Sequence, residues 1–244
     1  MISPGATTTE GDPLETRLRD TSRSSGRVSS VCSDILLFMT AGSRLIVDES
    51  SASGAFSPIP ASQNAEALAT LVSAFSDDPV ERWLWPETQS YLDHFPTFLA
   101  AFGGESFTQQ TAWRVGDCSA VALWLPPGAE ADGEAMVAVL TETVAPELHA
   151  DVFAVMEQID AAHPRYEHWY LPWLGVRAAE QGQGLGGELL RACLRVVDAS
   201  HLPAYLETPN PRTISFYGRH GFVVTGVTQT EACPPLSFML RSAR

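Results

Sequence analysis

The sequence predicts a mixed α/β (α+β) fold in which helices flank a central sheet of about six to seven strands. Two apolar stretches surround Gly116-Asp117, which predicts an antiparallel hairpin. Between residues 168 and 207, a strand, a glycine-rich turn, an amphipathic helix and a second strand follow one another. A single crossover helix between two strands makes them a parallel pair, so the sheet is mixed. Hydrophobic residues make up 45% of the 244, which suffices for a substantial core.

The N-terminal elements are predicted from apolar periodicity and turn residues. Residues 56–59 form a short edge strand, since prolines are tolerated there. Apolar residues at helical spacing predict helices over 64–75 and 87–102, the second ending at Gly103. Residues 83–86 form an aromatic connector between these helices. The hairpin strands cover 107–115 and 120–125.

The C-terminal elements alternate more regularly. Residues 130–162 are helical with a break near Pro146, because proline removes a helix hydrogen bond. Strands are expected over 168–176, 204–207, 222–227 and 236–240, and helices over 185–200 and 211–219.

Residues 1–53 differ from the rest of the chain. They are rich in Ser, Thr, Gly and Arg without a sustained apolar period, so they bury too little surface to offset the entropy of ordering. We predict a disordered or partly ordered N-terminal extension over 1–53 and a single folded domain over 54–244.

Charge and cysteine usage exclude several classes of protein. With 29 acidic and 15 basic residues the net charge is −14, which disfavours nucleic acid and a basic membrane-surface mode. No apolar run approaches the roughly 20 residues of a membrane span. The four cysteines lie far apart, so no disulfide framework or zinc site is indicated and a cytoplasmic location is expected. All basic residues are Arg, which indicates a GC-rich, bacterial genome.

Residues 181–187 (QGQGLGG) carry the strongest functional signal. A glycine-rich turn at a helix N-terminus exposes backbone N–H groups to an anion such as pyrophosphate. A P-loop needs a lysine, and the chain has none. A dinucleotide fingerprint fits Gly182, Gly184 and Gly187, with Glu207 twenty residues later as its ribose-binding acid. Five residues, 177–181, separate Gly182 from the end of its strand at Val176, however, and only 57 residues follow Gly187, which is short for a doubly wound sheet.

The stretch from Leu174-Gly175-Val176 through Gln181-x-x-Gly184-x-Gly186 to Asn210 and residues 216–222 (FYGRHGF) resembles the GNAT superfamily of acyl-CoA-dependent N-acyltransferases. Within it, the puromycin N-acetyltransferase group is most similar. The resemblance is specific over 169–227 and looser over 56–125. It implies a GNAT N-acetyltransferase domain over 54–244, a sheet splayed between its fourth and fifth strands, acetyl-CoA as co-substrate and no metal.

The resemblance also implies roles for individual residues. The backbone of Leu174, Gly175 and Val176 would pair with the pantetheine arm, and Tyr217 would bind the cofactor and protonate the departing thiolate. Asn210 would contact the pantetheine and cap the helix that follows it. Trp83 and Trp85 would line the acceptor pocket. The amides that would hold the pyrophosphate are those of Gln181, Gly182, Gln183, Gly184, Leu185, Gly186 and Gly187.

Amine acylation also needs a base, because an ammonium group is not nucleophilic. Glu207 lies where the fifth strand would open into the cleft, which makes it the candidate. We therefore predict an acetyltransferase that acts on a small-molecule amine by direct transfer in a ternary complex, as a monomer or homodimer. The alternatives are a non-catalytic acyl-CoA-binding GNAT module and a Rossmann-type NAD(P) oxidoreductase.

Overall fold

Seven strands form one mixed sheet in the computed structural model, which describes residues 55–228, 230 and 232–244. The extension predicted over 1–53 lies outside the described residues. The sheet order is β1-β2-β3-β4-β5-β7-β6, and β4 and β5 are parallel while every other neighbouring pair is antiparallel. The strands are β1 (Phe56–Pro58), β2 (Ala112–Val115), β3 (Ala120–Leu125), β4 (Trp169–Val176), β5 (Ala204–Thr208), β6 (Val223–Val227) and β7 (Ser237–Arg241).

Helices cover both faces of the sheet. They are α1 (Asn64–Ala74), α2 (Pro79–Leu84), α3 (Thr88–Gly103), α4 (Glu105–Thr108), α5 (Gly133–Thr143), α6 (His149–Ala162), α7 (Leu185–Asp198) and α8 (Pro211–Gly218). Among the described residues, no helix is long and apolar enough to cross a membrane. The predicted fold class is thus confirmed.

Alternate residues of the central strands point to opposite faces, and each face has its own core. On one face, Val121, Leu123 and Trp173 pack among the apolar residues of α1, α3, α5 and α6. On the other face, Ala122 and Trp124 pack against the buried side of α7 and against α8. We call these the α3 face and the α7 face.

Two local predictions were wrong. The strand expected from residue 107 begins at Ala112, because residues 105–108 form α4 and Gln110 adopts a φ of +57° that interrupts extended backbone. The connector expected over 83–86 is in part helical. Asp78 caps α2 by accepting the backbone N–H of Val80 at 3.0 Å, and a proline occupies the first helical turn.

Candidate active site

The parallel strands β4 and β5 separate after two residue pairs. Trp169 pairs with Ala204 and Tyr170 with Tyr205, and no further pair is registered along β4. β4 also bulges against β3, since the three steps from Tyr170 to Trp173 oppose only two steps, from Leu125 to Leu123, on β3. The backbone of Leu174, Gly175 and Val176 pairs with β3 on one side and diverges from β5 on the other. The splay predicted between the fourth and fifth strands is therefore present.

The glycine-rich loop follows the diverging end of β4. Gly182 and Gly184 have φ values of +78° and +87°, a backbone region that favours glycine. Gly184 is the N-cap of α7 and supplies no side-chain acceptor, so the helix begins with unoccupied N–H groups. The Gln181 side chain donates to the Val176 carbonyl at 3.1 Å and fastens the loop to β4. This geometry matches an anion site at a helix N-terminus.

Arg177, the nearest cation in sequence, is already engaged. Its guanidinium pairs with Glu180 at 3.0 Å and with Glu66 at 3.3 Å, and it also donates to the Asp117 carbonyl. Arg191, in the second turn of α7, lies against Gly187 instead, with its Nη1 3.2 Å from the place of a Cβ on that glycine. Backbone amides, with Arg191 beside them, are thus the positive groups of the loop.

A cavity of about 120 Å³ on the α3 face brings three carboxyl groups together. Asp78 and Glu81 reach it from α2 and Glu207 from β5, and its other walls include Trp83 and Trp173. Burial raises the pKa of Asp78 to about 6, opposed by the N–H groups that it caps. Burial and the charge of Asp78 raise the pKa of Glu81 well above its usual value. The Glu81 Oε2 atom has no hydrogen-bond partner among the described residues.

Glu207 is the most constrained of these carboxyls. Its side chain is 9% exposed, and its Oε2 accepts the Tyr170 hydroxyl at 2.7 Å. Burial raises its pKa to about 7, although the hydrogen bond from the Tyr170 hydroxyl favours the charged form. Within the described part of the chain, Glu207 Oε1 and the Tyr205 hydroxyl form no hydrogen bond. Glu207 therefore combines a raised pKa, near neutrality, with one oxygen that has no hydrogen-bond partner among the described residues.

Tyr217 lies on α8, which follows β5 directly. Its ring packs against Phe216 and Phe222, and it is 8% exposed. Burial, and then the charge of Asp78, raise its pKa, so the phenol is protonated at neutral pH. Asn210 caps α8 as predicted by accepting the Arg212 N–H at 3.0 Å, which holds the start of that helix beside the end of β5.

The two tryptophans that were predicted to line the acceptor pocket lie in different surroundings. Trp83 lines the cavity, whereas Trp85 is fully buried, contacts Phe95 and Phe98 and donates its indole N–H to Thr143. The expected pocket position of Trp85 is therefore corrected. Its backbone follows the end of α2, and this turn directs the ring into the core.

Four residues near Glu207 were not predicted as site residues from the sequence. Tyr170 and Tyr205 are registered partners on adjacent strands, and Tyr205 alternates with Glu207 on one face of β5. That period-two spacing is a signal that points to their shared face. Glu81 lies between Val80 and Arg82, and His163 precedes β4 with no motif around it, so neither had a distinctive pattern.

Comparisons with known proteins agree with this geometry. The model of the acetyltransferase (GNAT) family matches residues 77–222, which is more than half of the chain. An uncharacterized N-acetyltransferase of Schizosaccharomyces pombe is 27% identical over 207 residues, which cover 75% of this chain and 81% of that protein.

Two solved structures share the fold. The histone acetyltransferase HPA2 and related acetyltransferase from Corynebacterium glutamicum is 22% identical with a TM-score of 0.55, covering 79% of this chain and 97% of that one. Arylalkylamine N-acetyltransferase 2 from Aedes aegypti is 13% identical with a TM-score of 0.57, covering 80% of this chain and 100% of that one.

Proposed function

Because the chain belongs to the GNAT acetyltransferase family, whose co-substrate is acetyl-CoA, we propose that this acyl-CoA-dependent acetyltransferase acetylates a cationic small-molecule amine by direct transfer in a ternary complex. The observation that carries the proposal is the set of three carboxyl groups, Asp78, Glu81 and Glu207, that line one small cavity beside the β4–β5 opening. Buried carboxyls in an apolar cavity favour a cation as their partner.

The co-substrate lies in the opening between the two strands. The free edge of Leu174, Gly175 and Val176 pairs with the pantetheine amides, and the N–H groups of residues 181–187 bind the pyrophosphate. This arrangement uses backbone donors rather than side-chain cations. It therefore suits a protein whose net charge of −14 repels a polyanion at long range.

Glu207 is the general base. The acceptor enters as an ammonium ion, and the Glu207 carboxylate takes one of its protons to leave a neutral amine. A carboxyl with a pKa of about 7 is well matched to this step at neutral pH, since it is ionised in a large fraction of molecules yet still basic. The cavity is mostly apolar, so the interaction between carboxylate and ammonium is weakly screened.

The amine nitrogen then attacks the thioester carbonyl carbon and forms the C–N bond as the C–S bond breaks. Tyr217, a phenol that stays protonated at neutral pH, gives its hydroxyl proton to the departing sulfur. The nitrogen loses a second proton as the amide forms, and that proton restores the phenol. The balanced products are the N-acetyl amine, CoA as thiol and the proton held by Glu207.

An acceptor screen tests the proposal. Thiol release from acetyl-CoA is measured with phenethylamine, tryptamine, spermidine and puromycin, the last included because of the resemblance to its acetyltransferases. Aniline and phenethyl alcohol are the uncharged controls. We expect turnover of at least one cationic amine and none of the controls. CoA binding without thiol release from any amine would favour the non-catalytic module, and binding of NAD(P)H without CoA would favour the oxidoreductase.

Two variants test the assigned residues with the amine that is turned over fastest. Glu207→Gln and Tyr217→Phe should each lower kcat by about 10²–10⁴-fold, the usual contribution of an acid or base. Glu134→Gln, which neutralises an exposed acid on α5, is the matched control. If the first-turnover rate of Glu207→Gln equals that of the wild type, Glu207 is not the base, and the same result for Tyr217→Phe removes it as the acid.

A further inference from the structure

A second, more open cavity lies on the other side of Glu207. It has a volume of about 630 Å³ and is lined by residues of α3, the segment after β3, α6 and the start of β4. Tyr170 and His163 line this cavity and contact Glu207, by the 2.7 Å hydrogen bond and at 3.9 Å respectively. Glu207 lines the smaller cavity. The Glu207 carboxyl group thus lies between the smaller cavity and this larger, more open one.

Two histidines connect that carboxyl to the second cavity. The Nδ1 atom of His163 lies 3.9 Å from Glu207 Oε1, the oxygen without a hydrogen-bond partner. The Nε2 atoms of His163 and His168 are 2.9 Å apart, and His168 Nδ1 lies 2.8 Å from the Tyr166 carbonyl. The His163 ring also packs edge-on against Tyr170 and Tyr205, which fixes its position.

These contacts determine where the protons lie when both rings are neutral. A carbonyl only accepts, so His168 carries its proton on Nδ1 and has a lone pair on Nε2. His163 must then donate from its own Nε2 across the 2.9 Å contact. The remaining nitrogen of His163, Nδ1, presents a lone pair toward Glu207. The chain of contacts is therefore oriented to receive a proton from the carboxyl.

We propose that His163 and His168 form a proton relay that carries the substrate proton from Glu207 into the second cavity, and this inference rests on Glu207 being the base. The 3.9 Å gap closes to hydrogen-bond distance with a displacement of about 1 Å. The Glu207 proton then passes to His163 Nδ1 while the His163 Nε2 proton passes to His168 Nε2. His168 releases one proton to water in the cavity, and His163 recovers its Nε2–H form by exchange with water.

The surroundings of His163 keep the relay neutral at rest. Burial first, then the proximity of His168 and Arg165, lower its pKa to about 4, so it accepts a proton only transiently. The groups that face it are Asp160 from α6, Arg165 and His168 from the segment before β4, Tyr170 from β4, and Tyr205 and Glu207 from β5. Asp160 raises the pKa of His163 in opposition to these effects, and it is itself paired with Arg165 at 2.9 Å.

A kinetic experiment separates a relay from a merely structural role. His163→Phe keeps an aromatic ring against the two tyrosines but removes both nitrogens. The first turnover needs only the Glu207 carboxylate, whereas later turnovers require that its proton leave. We therefore expect a first turnover within about twofold of the wild type and a steady-state kcat lowered about tenfold or more. Imidazole added to the buffer should enter the open cavity and restore the steady-state rate. His94→Phe, on α3 outside both cavities, is the matched control.

His168→Gln provides a second variant, since its side chain lies at the solvent end of the relay. It should lower the steady-state rate in the same way, with the KM for acetyl-CoA unchanged. Nitrogen-15 NMR of the imidazoles tests the geometry without an acceptor. Near about pH 8, His163 should be protonated on Nε2 and His168 on Nδ1.

Three results would overturn the relay. The first is a steady-state kcat of His163→Phe within about twofold of the wild type. The second is a first-turnover rate of this variant that falls as much as its steady-state kcat and is not restored by imidazole. The third is a proton on Nδ1 of neutral His163. If Glu207→Gln is impaired while the histidine variants are not, the relay alone fails. If Glu207→Gln keeps the wild-type first-turnover rate, the base assignment fails with it.

Discussion

Replacing Glu207 with glutamine should stabilise the fold at alkaline pH while it removes activity. The carboxyl is buried, its pKa lies at about 7 against a usual 4.5, and Oε1 has no hydrogen-bond partner among the described residues. Glutamine has nearly the same shape, still accepts the Tyr170 hydroxyl through its amide oxygen and carries no charge to desolvate. The substitution therefore removes the cost of the buried charge and leaves the packing in place.

The magnitude follows from the difference between the two pKa values. Because the folded protein holds the Glu207 proton more tightly than the unfolded chain, the free energy of unfolding falls as pH rises from about 4.5 to about 7. A difference of about 2.5 units at 1.36 kcal/mol each corresponds to about 3 kcal/mol above that range. We expect Glu207→Gln to match the wild type near the lower pH and to exceed it by up to about 3 kcal/mol near the upper one.

Urea unfolding, monitored by tryptophan fluorescence at several values between about pH 4.5 and pH 8, measures this difference directly. Glu134→Gln is the control, because an exposed carboxyl pays no cost of burial. A stability difference for Glu207→Gln that does not change with pH would refute the reasoning. It would mean that Glu207 has a similar pKa in the folded and unfolded chains, and that burial is offset by contacts to its charged form.

Three further variants test other parts of the fold. Gly175→Ala should lower the free energy of unfolding by about 1–3 kcal/mol in urea, because the added methyl group would lie 2.7 Å from the Cβ of Ala74 where α1 crosses β4. Gly184→Ala should raise the KM for acetyl-CoA in steady-state kinetics with a smaller effect on kcat, since its φ of +87° costs alanine about 1–2 kcal/mol and the loop amides would shift. Asp198→Asn breaks the ion pair with the buried Arg241, which lowers the pKa of Asp198. Its stability cost, measured by urea unfolding, should therefore be present at neutral pH and shrink as pH falls through the lowered pKa.

The long, periodic elements of this chain could be predicted from sequence because their patterns are local. The helix over 185–198 alternates apolar and polar faces, and the strands on either side of it are bounded by glycine and proline. The short helices α2 and α4 could not be separated from their neighbours by periodicity, since they have six and four residues. The one available signal for α2 was Asp78-Pro79, a capping residue followed by a proline at the first helical position.

Some residues of the candidate site could likewise be predicted from local sequence, and others could not. Glu207 could be predicted as a candidate base because it ends a predicted strand next to a predicted opening, which is local information. Glu81 and His163 reach the neighbourhood of Glu207 only through the way α2 and α6 pack over the sheet. No spacing in the sequence relates residues so far apart, and tertiary packing decides which of several acids is buried. Trp85 shows the same limit, since its neighbour Trp83 lines the cavity while Trp85 enters the core.

The acidic residues of the chain are unevenly distributed, and their positions decide how they could attract a cationic acceptor. Residues 115–164, the acidic insert, contain nine acidic residues and no arginine, whereas residues 165–220 have six arginines and five acids. The insert does border the acceptor cavity, but through apolar residues such as Leu140, Val155 and Ile159. Its acids on α5 and α6 are mostly exposed, so their contribution to a cation is long-range and screened by salt. In the proposed function, close contact with the ammonium group therefore falls to the carboxyl groups that line this cavity, Asp78, Glu81 and Glu207, where apolar walls weaken screening by water.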